Sequence, residues 1–165
     1  MNTPIRRLFN ALFSALFFVF LSVLGFTQVS DQQETANQFL QKSMELTQSD
    51  LDSAMVLAYR VEVMAKRLND PKLTAKALHQ LGFIYYSKNQ FDKAIEYFEG
   101  AKKVAKEIGD HTMEAIALNR IGNTYQLKTN YLLALDYYLE ALAINKQSGN
   151  QAEVARTLVN LANMY

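Results

Sequence analysis

The chain has 165 residues, a net charge of +1 and no cysteine, and 50% of its residues are hydrophobic. This length and composition suffice for one domain with a sizeable core, while the lack of cysteine excludes disulfides, thiolate metal sites and a cysteine nucleophile. The mixture of both charge signs argues against a nucleic-acid-binding surface, which needs a basic stripe.

Residues 1–27 have the features of an export signal. Two arginines precede a charge-free apolar stretch from Ala11 to Phe26. This stretch has about 16 residues, whereas a membrane-spanning helix needs roughly 20, so a cleaved signal peptide that leaves Gln28 first is favoured. The alternative is an uncleaved signal anchor formed by residues 8–26. Either form predicts an exported protein of the periplasm or cell envelope.

Residues 28–165 carry a helical pattern that repeats every forty residues. Leu78, Leu81, Gly82 and Tyr85 are spaced to lie on one face of a helix. A second set of landmarks follows on the next helix, at Ala94, Phe98 and Ala101. The whole pattern recurs at Leu118, Ile121, Gly122, Tyr125, Ala134, Tyr138 and Ala141, and its first half recurs at Leu158, Leu161, Ala162 and Tyr165.

This pattern resembles the tetratricopeptide repeat, whose signature sets a large residue, Leu, Gly and Tyr on a first helix and Ala and Phe on a second. The resemblance implies an all-α fold, an α-solenoid of antiparallel helix pairs stacked into a right-handed superhelix. Such a pair cannot cover its own apolar face and therefore stacks on the next pair. Gly82 is expected to allow the second helix to approach closely.

The register predicts a degenerate repeat at 30–70, repeats at 71–110 and 111–150, and an incomplete repeat at 151–165. The S-x-x-Q form that starts at Ser30 predicts the beginning of the first helix. Because the last repeat lacks its second helix, we expect the chain to continue beyond residue 165. We also expect self-association through the exposed face of that repeat.

The resemblance implies that the first helices line a concave surface that holds a peptide. Asparagine amides can donate to and accept from a peptide backbone, and cationic side chains can pair with a carboxylate. The alternative is that these asparagines bond across neighbouring helices or face water. The candidate residues are Lys76, His79, Phe83, Asn119, Arg120, Asn123, Arg156, Asn160 and Asn163.

No catalytic constellation is evident, because His79 and His111 are the only histidines and no phosphate-binding glycine loop occurs. We therefore expect no enzymatic activity, no cofactor and no metal site. The predicted function is an exported scaffold that binds a protein or peptide, with no nucleic-acid partner, and with membrane contact only through an uncleaved N-terminal segment. The second repeat also resembles bacterial arrays that precede a signalling domain. The alternative is thus the N-terminal sensor region of a signal-transduction protein, with a histidine kinase or transcription regulator beyond residue 165.

Overall fold

The computed structural model describes residues 28–164. The segments predicted as a signal peptide or as an anchor lie outside that range, and so does Tyr165. The described part contains helices and no strand, which confirms the predicted all-α fold. None of these helices has the length and apolarity needed to cross a membrane. The helices are α1 (28–46), α2 (Leu51–Arg67), α3 (Pro71–Ser87), α4 (Phe91–Glu107), α5 (His111–Leu127), α6 (Tyr131–Gln147) and α7 (Gln151–Ala162).

The helix boundaries follow the forty-residue period, since α3, α5 and α7 begin at residues 71, 111 and 151. The cause is a repeated set of capping residues. Asp70, Asp110 and Asn150 each accept a hydrogen bond from the backbone N–H three residues later and so begin a first helix. Gly109 and Gly149 precede two of these caps with φ values of 70° and 72°, the left-handed conformation that glycine adopts without strain.

The predicted start of the first helix at Ser30 is wrong. The chain is already helical at residue 28, so Ser30 lies inside α1 and is not its N-cap. The S-x-x-Q form marks a helix start only where the backbone of the serine is not helical.

Two buried rings hold the helix pairs α3–α4 and α5–α6 together. Phe98 of α4 and Tyr138 of α6 are 0% exposed. Each ring lies against the glycine of the preceding helix, and a Cβ atom added at Gly82 or Gly122 would lie 2.6 Å from a ring carbon. The predicted close approach at these two glycines is therefore confirmed.

Polar contacts that also repeat every forty residues connect successive pairs. Lys88 forms an ion pair with Asp52, and Lys128 forms the equivalent pair with Asp92. On the second helices, the hydroxyl of Tyr59 lies 2.9 Å from that of Tyr97, and forty residues later the hydroxyl of Tyr137 donates to Glu99 over 2.9 Å. Because the second pair stacks on the first and the third stacks on the second at equivalent positions, residues 36–164 form a solenoid.

Candidate functional site: a cavity between the first helices

A cavity of 440 Å³ lies between α1, α3 and α5. Its volume falls within the range of roughly 300–1,000 Å³ that is usual for ligand pockets. Five of its lining residues are apolar and two are cationic, and none carries a carboxylate. The lining residues are Leu40, Met44, Lys76, His79, Gln80, Phe83, Met113, Ile116 and Arg120.

Arg120 supplies a charged donor to this cavity. Its guanidinium carbon lies 5.1 Å from the centroid of the Phe83 ring, a cation–π arrangement. Within the described chain the guanidinium makes no hydrogen bond or ion pair. Burial lowers the pKa of Arg120 from its ordinary value, yet a guanidinium remains protonated in proteins. Arg120 is therefore a half-buried cation whose guanidinium has no hydrogen-bond or ion-pair partner among residues 28–164.

His79 lies beside Arg120 on the inner wall of the cavity. Its ring packs 5.6 Å from the ring of Phe98, centroid to centroid, at a tilt of 49°. Its Nε2 atom is buried and has no hydrogen-bond partner within residues 28–164. Burial, and to a lesser extent the charge of Arg120, lowers the pKa of His79 from 6.5 to about 4. The imidazole is therefore neutral at pH 7.

This pKa predicts a stability that falls on acidification. A histidine with a depressed folded-state pKa binds a proton more weakly in the folded than in the unfolded chain. Its contribution to the free energy of unfolding is therefore present above pH 6.5 and is lost as the pH falls towards 4. Between pH 7 and pH 5 this group should lower the free energy of unfolding by about 2 kcal/mol.

The check is urea denaturation of the wild type and of His79→Phe at both pH values. The wild type should lose about 2 kcal/mol more than the variant between them, because phenylalanine cannot bind a proton. Equal losses in the two proteins would show that His79 titrates normally.

Two of the predicted asparagines serve helix packing instead. Asn119 is only 4% exposed, and its Nδ2 donates to the Oγ1 of Thr157 over 2.9 Å, which joins α5 to α7. The side chain of Asn119 is therefore buried between these two helices, the arrangement that the alternative for the asparagines describes. Asn123 is half-buried, and its Oδ1 accepts a hydrogen bond of 2.6 Å from the hydroxyl of Tyr138.

The nine predicted residues thus separate into two groups. The cavity brings together Lys76, His79, Phe83 and Arg120. The remaining five do not line it, and two of these are Asn119 and Asn123. Of the other three, Arg156 is exposed and pairs with Glu153 at 3.2 Å, Asn160 is half-buried and Asn163 is exposed.

The sequence reasoning missed the wall that α1 contributes. Leu40 and Met44 line the cavity, but α1 lacks the Gly and Tyr landmarks that identify the other first helices. Gln80 fixes this wall to α3, since its Nε2 donates to Thr47 Oγ1 over 2.8 Å and to Ser43 Oγ over 3.3 Å. Ser43 lies in α1 and Thr47 in the turn that follows it, and these two hydroxyl residues four positions apart were the available signal.

Comparison with known proteins agrees with this architecture. The model of the tetratricopeptide repeat family matches residues 73–147 and 113–165. No curated protein matches the chain.

Among solved structures, the chain is similar to the TPR domain of Arabidopsis FLU, with a TM-score of 0.65 and 17% identity over 70% of this chain and 98% of that one. The N-terminal domain of stress-induced protein-1 from C. elegans gives a TM-score of 0.59 and 18% identity over 76% and 96%. BtubC from P. vanneervenii gives a TM-score of 0.55 and 22% identity over 83% of this chain and 65% of BtubC. At these identities the likeness concerns the fold. Because the family model covers more than half of the sequence and the helix pairs carry its landmarks in register, the chain belongs to the tetratricopeptide repeat family.

Proposed function

We propose that the chain is a non-catalytic scaffold whose α1–α3–α5 cavity holds a segment of a partner polypeptide. Repeats of this family are generally scaffolds for protein–protein interaction and are generally non-catalytic. The observation that carries the proposal is the apolar cavity with an unpaired guanidinium at its wall.

The lining indicates the chemistry of the bound segment. Leu40, Met44, Met113 and Ile116 offer apolar contact, and methionine adapts its shape to different side chains. Arg120 presents a planar donor that suits a carboxylate, since arginine can bind one through two parallel hydrogen bonds. The proposed ligand is therefore a segment in which a large apolar residue stands next to an acidic group.

The cavity can be tested with Met44→Glu, because Met44 is 58% exposed and its replacement should not disturb the fold. A peptide selected from a displayed library on the full chain should bind this variant at least about tenfold more weakly, since the new carboxylate removes apolar contact and competes for Arg120. Fluorescence anisotropy with a labelled peptide measures the affinity.

The matched control is Val56→Glu on α2, which introduces the same charge at a residue that is 55% exposed and outside the cavity. Its affinity should stay within about twofold of the wild type, as for surface substitutions generally. Equal weakening by both substitutions, or by neither, would contradict the cavity as the peptide site.

We further propose that residues 1–27 direct export. Support comes from the paired arginines and the apolar stretch that follows them, a pattern typical of secretory signals. Intact-mass measurement on protein produced with its native start should show a chain that begins at Gln28. Recovery of the chain with Met1 in a membrane fraction would establish the anchor instead. The resemblance of the second repeat to bacterial arrays that precede a signalling domain supports the sensor alternative. A kinase or DNA-binding domain encoded downstream of residue 165 would favour that alternative.

A further inference from the structure

We propose that the α1–α3–α5 cavity binds the acidic group of its partner segment together with a proton, which His79 takes up from the solvent as the acid reaches Arg120. The inference rests on the proposed function, because it requires that an acidic segment enters this cavity. It adds a regulation of that site, since binding then becomes tighter as the pH falls.

The repeat register leaves His79 without the hydrogen-bond partner that its equivalent has. Asn119 stands forty positions later and bonds to Thr157 on the next first helix over 2.9 Å. The residue equivalent to Thr157 one repeat earlier is Ala117, which has no polar side-chain atom and is 0% exposed. The buried Nε2 atom of His79 accordingly has no hydrogen-bond partner among residues 28–164. The imidazole therefore lacks the interhelical hydrogen bond that fixes Asn119.

The charges around His79 decide its protonation. On its own helix Lys76 lies one turn earlier, and from α5 the guanidinium of Arg120 lines the same cavity. Helix α1 contributes apolar side chains to the wall, and α4 contributes the aromatic ring on which the imidazole packs. The charges of Glu153 and Arg156 on α7 act on Arg120, but these two residues pair with each other at 3.2 Å and do not line the cavity. Protonation of His79 would thus place a third cation at a wall that has no carboxylate among its described lining residues.

A bound acid reverses this balance. In the chain by itself, burial and to a lesser extent the charge of Arg120 lower the pKa of His79 to about 4. A carboxylate on Arg120 offsets the repulsion and attracts an imidazolium, so the pKa of His79 rises on binding. A group whose pKa rises on binding takes up a proton, and the affinity then increases as the pH falls through the pKa of the bound form. A return of this pKa to its ordinary value of 6.5 would increase the affinity by about tenfold between pH 7.5 and pH 5.5.

Calorimetric titration at about pH 6 counts this proton when it is repeated in two buffers that differ in ionisation enthalpy. The probe is the acidic peptide selected on the full chain, made with an acetylated N-terminus and an amidated C-terminus so that its side chains carry its acidic groups. Its binding should take up roughly 0.7 of a proton. The same peptide with amides in place of its carboxylates should bind more weakly and take up no proton, because it cannot offset the charge of Arg120.

Two variants of the chain assign the proton to its residue. His79→Gln should bind the acidic peptide without proton uptake, whereas His111→Gln should take up as much as the wild type. His111 is the matched control, because it is the other histidine of the sequence, its side chain is 64% exposed and it lies outside the cavity. Nuclear magnetic resonance of the histidine ring C–H groups provides a readout that needs no substitution of His79. In the peptide-saturated chain the pKa of His79 should rise from about 4 to above about 5.

The outcomes separate this inference from the proposed function. Peptide binding that Met44→Glu weakens but that takes up no proton would overturn the inference and leave the proposed function intact. Proton uptake that persists in His79→Gln, or a pKa of His79 that the peptide leaves unchanged, would also overturn it. A peptide that Met44→Glu and Val56→Glu weaken equally would instead remove the proposed function, and this inference with it.

Discussion

Replacement of Tyr138 by alanine is expected to lower the free energy of unfolding by about 3–5 kcal/mol, the usual cost of removing a buried ring. Tyr138 is 0% exposed, and its ring fills the space over Gly122 between α5 and α6. Burial raises the pKa of Tyr138 to about 12, so the hydroxyl stays protonated and donates to Asn123. The substitution removes both the ring and this donor. Chemical denaturation measures the loss.

Tyr131→Ala is the matched control, because Tyr131 lies on the same helix and is 52% exposed. Its loss should stay below about 1 kcal/mol, as expected for a residue that is largely in water. Similar losses for the two variants would mean that Tyr138 is not the packing centre of its helix pair.

Reversal of charge at Arg120 should have the largest effect on binding. Arg120→Glu is expected to weaken the binding of an acidic peptide by about 100-fold or more. A hydrogen bond to a charged group contributes about 1.5–3 kcal/mol, and the substitution replaces this attraction by repulsion. The guanidinium lies on the ring of Phe83 and has no ion pair within the described residues, so the ligand carboxylate would be its partner. Anisotropy titration measures the affinity.

Two further arms separate a charge effect from a folding defect. Arg60→Glu changes the charge equally on an exposed residue of α2 and should leave the affinity nearly unchanged. A peptide with lysine in place of its acidic residue should bind Arg120→Glu better than it binds the wild type. If the lysine peptide gains nothing while circular dichroism shows an intact fold, Arg120 does not contact the ligand.

The fold was predictable because the same landmarks occur at a fixed spacing more than once. Gly82 and Gly122 are one example. A glycine inside a helix costs about 1 kcal/mol against alanine, so its recurrence at the same position indicates the close approach of a second helix. The rings of Phe98 and Tyr138 at these glycines provide that approach.

The site was predictable only in part. Residues on the landmark-bearing helix α3 could be placed by register, and Lys76, His79 and Phe83 do meet at the cavity. For Asn119 the sequence left two placements open, in the groove or bonded to a neighbouring helix, because its partner Thr157 lies 38 residues away on another helix. Such a contact leaves no trace in a local pattern. Helix α1 lacks the repeat landmarks, so the register did not place Met44 at the cavity wall.

Methyl-selective nuclear magnetic resonance tests the central claim most directly, because the α1–α3–α5 cavity contains the methyl groups of Met44, Met113 and Ile116. During titration of the full chain with the selected acidic peptide, these three signals should shift together and saturate at one dissociation constant. The signals of Leu132 on α6 and Leu158 on α7, two exposed residues outside the cavity, should stay unchanged. Shifts confined to these two leucines, with the three cavity signals unmoved at saturation, would contradict the account.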